Sequence, residues 1–365
     1  MTERLSVLLR EEAGSLDIPP AATGAILARG RGLRRRQRWT RAVAVTAAAA
    51  VIVVGSATGA HRFRADDSID PTRAAEAFAS QGAFAVGHEL YLGDQRIHWD
   101  DAIKALYYTS AGVVVRSGSS EDTNDGISTY TLVSPTGEKS LVHADSSNRI
   151  PGFEPDGTNF AYSDQSDGQL VVVVHDVVTD RELARVTVLD HPVETGWDAP
   201  PVSIDGDIVW VRTDPGWTQV NWRTGEIRQV PDTADTFELQ NGRYAVQRGR
   251  VWEIRAMADE ATVGEVRMLK GWYAFFSPDG RFMRSFPNGV RDAPQMPSAY
   301  VHDVEAGTTF EHAGAGYELG WTPDGHLLVL DGETVRACEP MSDACSVRAF
   351  DGSGSVKLGG APYES

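Results

Sequence analysis

Hydrophobic and polar positions along this 365-residue chain fall into three regimes. Between Thr2 and Ala13, Leu5, Leu8 and Leu9 recur at helical spacing, which predicts a short amphipathic helix, and Pro19-Pro20 ends any continuation. From Ala42 to Ala60 no residue is charged, and at ~1.5 Å rise per residue a helix here reaches about 28 Å, close to the hydrocarbon thickness of a bilayer. Beyond residue 80 the pattern changes to short runs of Val, Ile, Tyr, Phe and Trp broken by Gly, Asp and Pro. That alternation predicts many short strands joined by tight turns, hence an all-β domain.

One turn recurs through the all-β part. Its clean copies are Phe153-Glu-Pro-Asp-Gly157, Phe276-Ser-Pro-Asp-Gly280 and Trp321-Thr-Pro-Asp-Gly325. Looser copies are Tyr108-Thr-Ser-Ala-Gly112, Val202-Ser-Ile-Asp-Gly206 and Glu238-Leu-Gln-Asn-Gly242. The glycines are 45, 49, 36, 38 and 45 residues apart, which is the period of a propeller blade. The pairs Asp156-Gly157, Asp205-Gly206, Asn241-Gly242, Asp279-Gly280 and Asp324-Gly325 are expected to supply the positive φ of a hairpin turn, and an apolar run follows each. Val174-His-Asp-Val177 and Val301-His-Asp-Val304 fall at the same place in two units, where His175 and His302 read as strand residues pairing with the neighbouring Asp176 and Asp303. Six units cover residues 100 to 350, and the hairpin at 83–97 is expected to share a blade with the C-terminal strands so that no sheet edge is left free. The expectation is a six-bladed β-propeller, with seven blades as the alternative.

Charge is divided along the chain. Residues 1–64 hold eleven arginines and four acids, a balance of +7, so the remainder carries −24 of the total of −17. A field of that sign repels phosphate backbones and argues against nucleic acid as a partner. Arg29, Arg31, Arg34, Arg35, Arg36, Arg38 and Arg41 crowd the N-terminal flank of the apolar segment, whereas only Arg62 and Arg64 follow it before acids begin at Asp66. By the positive-inside rule the N-terminus is cytoplasmic and everything after residue 60 lies outside, with membrane lipid contacted through one helix. A cleaved signal peptide shows the same order of features, but its basic region here would run to about 41 residues, far beyond the usual length. The expected organisation is a tail over 1–41, a transmembrane helix over 42–60, a linker over 61–80, an extracytoplasmic propeller over 81–355 and a tail over 356–365.

The only cysteines are Cys338 and Cys345, placed to face each other across the outer hairpin of the last unit. Outside the cytoplasm such a pair is expected to be oxidised. The turns Glu154-Pro-Asp-Gly-Thr-Asn159, Ser277-Pro-Asp-Gly-Arg-Phe282 and Thr322-Pro-Asp-Gly-His-Leu327 resemble the repeats of WD-repeat-like and TolB-like propellers. The whole plan, an Ala- and Arg-rich leader, one helix and an acidic propeller, is similar to membrane-anchored propeller proteins of actinobacteria. The resemblance implies fold and location, and leaves function open.

Catalytic chemistry finds little foothold. Ser203-Ile-Asp-Gly-Asp-Ile-Val-Trp210 approaches a sialidase repeat but has Gly directly after Asp, and no Gly-x-Ser-x-Gly elbow follows the propeller. The nine histidines are scattered, and the acidic stretches 119–126 and 163–168 lack the spacing of a calcium loop. Neither a catalytic residue, a metal site nor a cofactor is expected. Trp197, Trp210, Trp217, Trp222 and Trp252 serve either a sugar- or peptide-binding face or the packing between blades. Three functions follow: a non-enzymatic binding or scaffold module holding a protein or extracellular ligand; a transmembrane regulator whose N-terminal tail engages a partner such as a sigma factor; and a hydrolase acting on surface polysaccharide.

Overall fold

The computed structural model describes residues 69–122, 128–142, 150–165, 167–194, 199–214, 216–230, 233, 239–249, 251–258, 260–267, 272–287, 298–313 and 319–361. Met1–Arg64 and Ala65–Ser365 are separate units, and every described residue belongs to the second. The amphipathic segment 2–13, the arginines at 34–41 and the apolar segment 42–60 therefore lie outside the described residues.

Among the described residues, twenty-eight strands form seven antiparallel four-stranded sheets. Blade 1 takes β1 (Ala83–Val86), β2 (Glu89–Leu92) and β3 (Gln95–His98) from the start of the domain. Blade 2 is β4 (Ala102–Thr109), β5 (Gly112–Gly118), β6 (Ser128–Val133) and β7 (Lys139–Val142). Blade 3 is β8 (Gly152–Phe153), β9 (Asn159–Asp164), β10 (Leu170–Asp176) and β11 (Arg181–Leu189); blade 4 is β12 (Val202–Asp205), β13 (Ile208–Arg212), β14 (Trp217–Asn221) and β15 (Glu226–Gln229). Blade 5 is β16 (Leu239–Gln240), β17 (Arg243–Arg248), β18 (Val251–Ala256) and β19 (Thr262–Arg267); blade 6 is β20 (Trp272–Phe276), β21 (Phe282–Pro287), β22 (Ala299–Asp303) and β23 (Thr308–His312). Blade 7 is β24 (Leu319–Trp321), β25 (Leu327–Asp331), β26 (Thr334–Cys338) and β27 (Cys345–Ala349), after which β28 (Val356–Leu358) returns to blade 1 in the order β28-β1-β2-β3.

The propeller has seven blades, the alternative held beside six, and the hairpin at 83–97 shares its blade with a C-terminal strand as expected. The recurring turn joins the first strand of a blade to the second, and blade 1 has no such turn because its first strand comes from the other end of the domain. Counting turns therefore undercounts blades by one. Val356 to Leu358, placed by the sequence reading in a tail, pair with Val86, Ala85 and Phe84.

Why the strands read as unbroken apolar runs follows from the packing. Seven core clusters occur, one at each junction between adjacent blades, including the seam where Leu328, Val335 and Phe350 of blade 7 meet Phe84, Tyr91 and Leu358 of blade 1. Each sheet is covered on both faces. In β5, Val113 and Val115 face blade 1 while Val114 faces blade 3; in β10, Val172 and Val174 face blade 4 while Val173 faces blade 2. The four tryptophans Trp210, Trp217, Trp222 and Trp252 are buried in these junctions. Trp197 lies outside the described residues.

The repeated turn is built by side chains. In Ser277-Pro-Asp-Gly280 the glycine amide donates to the Ser277 carbonyl at 2.8 Å, and the Ser277 hydroxyl donates to Asp279 at 2.6 Å and accepts the Phe282 amide at 3.0 Å. Thr322, Asp324, Gly325 and His326 repeat the arrangement. Proline at the second position fits the φ of a type I turn. Gly280 and Gly325 are left-handed, at φ 66° and 92°, as are Gly206 at 59° and the pair Asn241-Gly242 at 45° and 65°. Gly157 is not left-handed. A Cβ there would collide with the Glu154 carboxylate, so this glycine is needed for space, and the expected positive φ is corrected at that turn. Gly112 begins β5, one residue past its turn.

The tetrapeptides 174–177 and 301–304 also depart from expectation. Asp176 accepts the amides of Val178 and Thr179, and Asp303 accepts those of Glu305 and Ala306, capping equivalent turns. His175 reaches Asp180 at 3.0 Å, in the turn that follows β10, rather than the adjacent Asp176 expected for it, and His302 sits between Ser285 and Thr309.

Before the first strand, α1 (Pro71–Gln81) occupies part of the segment expected as linker. Asp70 caps it by accepting the Thr72 amide at 2.9 Å, Pro71 suits the first helical position, and Gly82 ends it at φ 66°. Ala74 and Phe78 are buried, Phe78 edge-on to Tyr108.

Cys338 and Cys345 are disulfide-bonded and directly opposite in the pairing of β26 with β27. Closing so short a loop contributes about 2 to 3 kcal/mol in the chain-entropy description. Replacing both cysteines by serine is expected to lower the unfolding free energy by about that amount, read as a lower melting temperature that reductant no longer changes. A second expectation concerns His326, held by Asp324 at 2.7 Å and Glu339 at 3.1 Å and pushed up to about 9, chiefly by the Asp324 hydrogen bond. Because this lies above the ordinary histidine value of 6.5, its stabilisation is complete below pH 6.5 and is lost as pH rises through about 9. Melting curves from pH 6 to 10 should show a decline in the native chain that is smaller in His326→Gln.

Candidate functional site

Antiparallel order gives the ring two unlike faces. The connections from first to second strand and from third to fourth open on one face, the turn face; those from second to third and from each blade to the next open on the other, the connector face. The turn face is stitched from blade to blade. The Ser110 amide donates to Gly157 O at 2.8 Å, the Gly206 amide to Glu154 Oε1 at 3.1 Å, and Arg243 Nη1 to Gly280 O at 2.7 Å. Helix α1 completes the series: Gly93 donates to Gly82 O at 2.9 Å and Asp324 to Ala79 O at 3.2 Å. The chain thus enters the propeller on the turn face.

First strands of neighbouring blades meet around the axis, and between them lies a cavity of about 100 Å³. Tyr107, Phe153, Ile204, Trp217 and Phe276 give it apolar walls; Ser203 and Gln240 supply the polar side chains; Pro155 and Pro278, from two of the repeated turns, stand at its turn-face end beside Gly360 and Ala361. None of its lining residues is a carboxylate or histidine.

Among the described residues, Ser285, His302 and Thr309 resemble catalytic machinery, with His302 Nε2 2.8 Å from the Ser285 hydroxyl and Nδ1 2.9 Å from the Thr309 hydroxyl. Burial pushes His302 down to about 4, which keeps it neutral, and Ser285 has no solvent exposure. No carboxylate orients the ring as a base needs. The three groups brace adjacent strands of blade 6. Among the described residues, no group of three His, Cys, Asp or Glu side chains is placed to hold a metal. Glu121, in the acidic stretch considered for calcium, accepts the Ser355 amide at 3.1 Å and so pins the strap leading to β28.

The structure therefore places the sequence-derived turn residues Asp156, Gly157, Asp205, Gly206, Asn241, Gly242, Asp279, Gly280, Asp324 and Gly325 around one face, and the disulfide on the outer edge of blade 7. It does not gather them into a site. The cavity walls were not singled out by sequence, although a signal was present: Phe153 and Phe276 are the apolar residues that open two clean copies of the turn, and Tyr108 opens a looser one. Trp217 gave no such signal, being a junction residue that also reaches the axis.

No family model and no curated protein matches the chain. Among solved structures it is similar to TolB from Acinetobacter baumannii, at 13% identity and a TM-score of 0.38, over 75% of this chain and 64% of that one. It therefore spans less than two thirds of that TolB chain. Kluyveromyces lactis Hsv2 matches at 13% identity and a TM-score of 0.44, over 67% and 76%. The WD40 domain from Toxoplasma gondii coronin matches at 12% identity and a TM-score of 0.40, over 69% and 70%. Likeness at this level concerns the arrangement of blades and carries no argument about ligand or activity; the seven-bladed assignment rests on the strand order of the chain itself.

Proposed function

We propose that this chain is a membrane-anchored, extracytoplasmic and non-enzymatic binding module whose connector face holds a protein or other extracellular ligand. The observation that carries the reading is the inequality of the two faces. On the turn face, backbone donors and carbonyls are taken up by adjacent blades and by α1, where the chain enters. The opposite face carries the longer connections, and long loops on a rigid scaffold are where binding residues concentrate. Location rests on sequence: the uncharged segment 42–60, the arginines before it and the acidic domain after it support an anchor with its N-terminus in the cytoplasm. Among the described residues no helix is long and apolar enough to cross a membrane, and segment 42–60 is not among them. A disulfide in the outer blade suits an oxidising compartment.

The test is affinity purification of the full-length chain from detergent-solubilised native membranes, followed by mass spectrometry. Asp190→Arg with His191→Glu changes an exposed connector, and Thr224→Arg changes an exposed turn. The connector change is expected to reduce recovery of the partner by about tenfold or more, a loss of at least ~1.4 kcal/mol, and the turn change to leave it unaltered. Release by the turn change alone would reject the connector face, and loss of the partner from a chain lacking residues 2–38 would favour a cytoplasmic regulator instead.

A further inference from the structure

The outermost strand of blade 7, β27, carries the disulfide at its first residue and, three residues on, the arginine that reaches across the seam to blade 1. We propose that the Cys338–Cys345 bond is a redox latch on the ring: its reduction by a dithiol releases β27, withdraws Arg348 from blade 1 and loosens the seam between blades 7 and 1.

Three observations carry the inference. First, the disulfide joins a fixed strand to an exposed one. Cys338 is buried with Phe282, Leu327 and Val329, and just beyond it the Pro340 carbonyl accepts from His312 Nε2 of blade 6 at 3.0 Å, while Glu339 meets His326 at 3.1 Å. Cys345 is half-buried and begins a five-residue edge strand in which Ser346, Val347 and Ala349 are exposed, Val347 by 63%. A strand that buries so little is held by its backbone pairing and by its ends, and the disulfide is one of those ends. Second, Arg348 works from that strand. Its guanidinium lies 5.6 Å from the ring centre of Phe84 and 5.0 Å from that of Tyr91, and it donates to the carbonyls of Gly93 and, at 2.6 Å, Gln95, all in blade 1. When β27 leaves, these contacts leave with it. Third, the seam is where the ring can part without unfolding a blade in the middle of the chain. Blade 1 alone takes its strands from both ends of the domain, with β28 supplying three residues, whereas the other six sheets each use consecutive strands.

The exchange is balanced. A thiolate of the dithiol attacks Sγ of Cys345, the more exposed partner; the S–S bond breaks, and its electron pair leaves on Cys338 Sγ, which takes a proton. The second thiol of the reductant then attacks the mixed disulfide and releases Cys345 as a thiol. The reductant departs as a disulfide, having given two electrons and two protons. This inference goes beyond the reading of the connector face and does not depend on it.

The test is hydrogen exchange of the full-length chain in detergent, read by mass spectrometry with and without dithiothreitol, while alkylation of Cys338 and Cys345 reports the extent of reduction. Dithiothreitol is expected to speed exchange at least about tenfold in β27 and also across the seam, in β28 and at the Gly359 amide that donates to Ala83 O, while β10 and β13 in blades 3 and 4 keep their rates. Arg348→Met keeps the stem and removes the donors. It is expected to show the faster exchange at β28 and Gly359 already in the oxidised chain, with dithiothreitol adding less than about twofold there while still releasing β27. Should Arg348→Met fail to fold, the native chain decides alone. Release of β27 with β28 and Gly359 unchanged would overturn the proposal and leave the disulfide a local staple. Equal acceleration in every blade, or a bond that dithiothreitol leaves intact in the folded chain, would overturn it as well.

Discussion

Everything in this propeller depends on the burial of both faces of every sheet against its two neighbours. A four-stranded sheet with two apolar faces has no stable existence alone, because each face exposes rows of Val, Leu and aromatic side chains worth roughly 25 cal/mol per Å² when removed from water. Only a closed ring covers all of them. The seam between blades 7 and 1 is therefore as necessary as any other junction, although β28 contributes only Val356 to Leu358 to the pairing. The strand is held beyond its own length. Tyr91 donates to Asp351 O before it, Glu121 accepts the Ser355 amide, and Gly359 is bonded on both sides after it.

The same constraint explains why residues that invite a chemical reading are structural. A ring packed on both sides has little room for polar groups, and several of those present are matched to partners. Arg348, on the outer strand of blade 7, lies over the rings of Phe84 and Tyr91 and donates to the carbonyls of Gly93 and Gln95, so one side chain binds the seam at its periphery. Burial lowers its affinity for protons, yet a guanidinium remains charged and the carbonyls answer that charge. His302 is the opposite case: buried between two hydroxyls, it is kept neutral and serves as a connector between strands. Tryptophans follow the same logic, since Trp210, Trp222 and Trp252 fill junctions.

How much of this was legible in the sequence depends on how local each feature is. The turns were legible because Pro, Asp, Gly and a hydroxyl within five residues determine their own hydrogen bonds, as at Ser277 and Thr322. The disulfide was legible because only two cysteines exist and a hairpin fits between them. Blade number was legible only as six or seven, because the strand that completes blade 1 is separated from its partner by the whole ring and has no turn to mark it. Gly157 was misread for a related reason: its motif matches the others, but the residue that requires it is the larger Glu154, whose carboxylate is committed to Gly206 in the next blade. The axial cavity belongs to the ring as a whole, so its walls were visible only as the first residue of certain turns.

Parity connects the seam to the way the two faces are used. Within each blade the first strand runs toward the turn face and the second runs away from it. A domain that begins with a second strand, β1, and ends with a first strand, β28, must therefore receive its chain and release it on the same face. Both ends do fall there, α1 against Gly93 and Asp324, and Gly360-Ala361 beside the turn prolines. Had the seam been displaced by one strand, so that the domain began at a first strand and ended at a fourth, both ends would have emerged among the connectors. The choice of which strand closes the ring is thus also the choice of which face carries the first and last described residues of the domain.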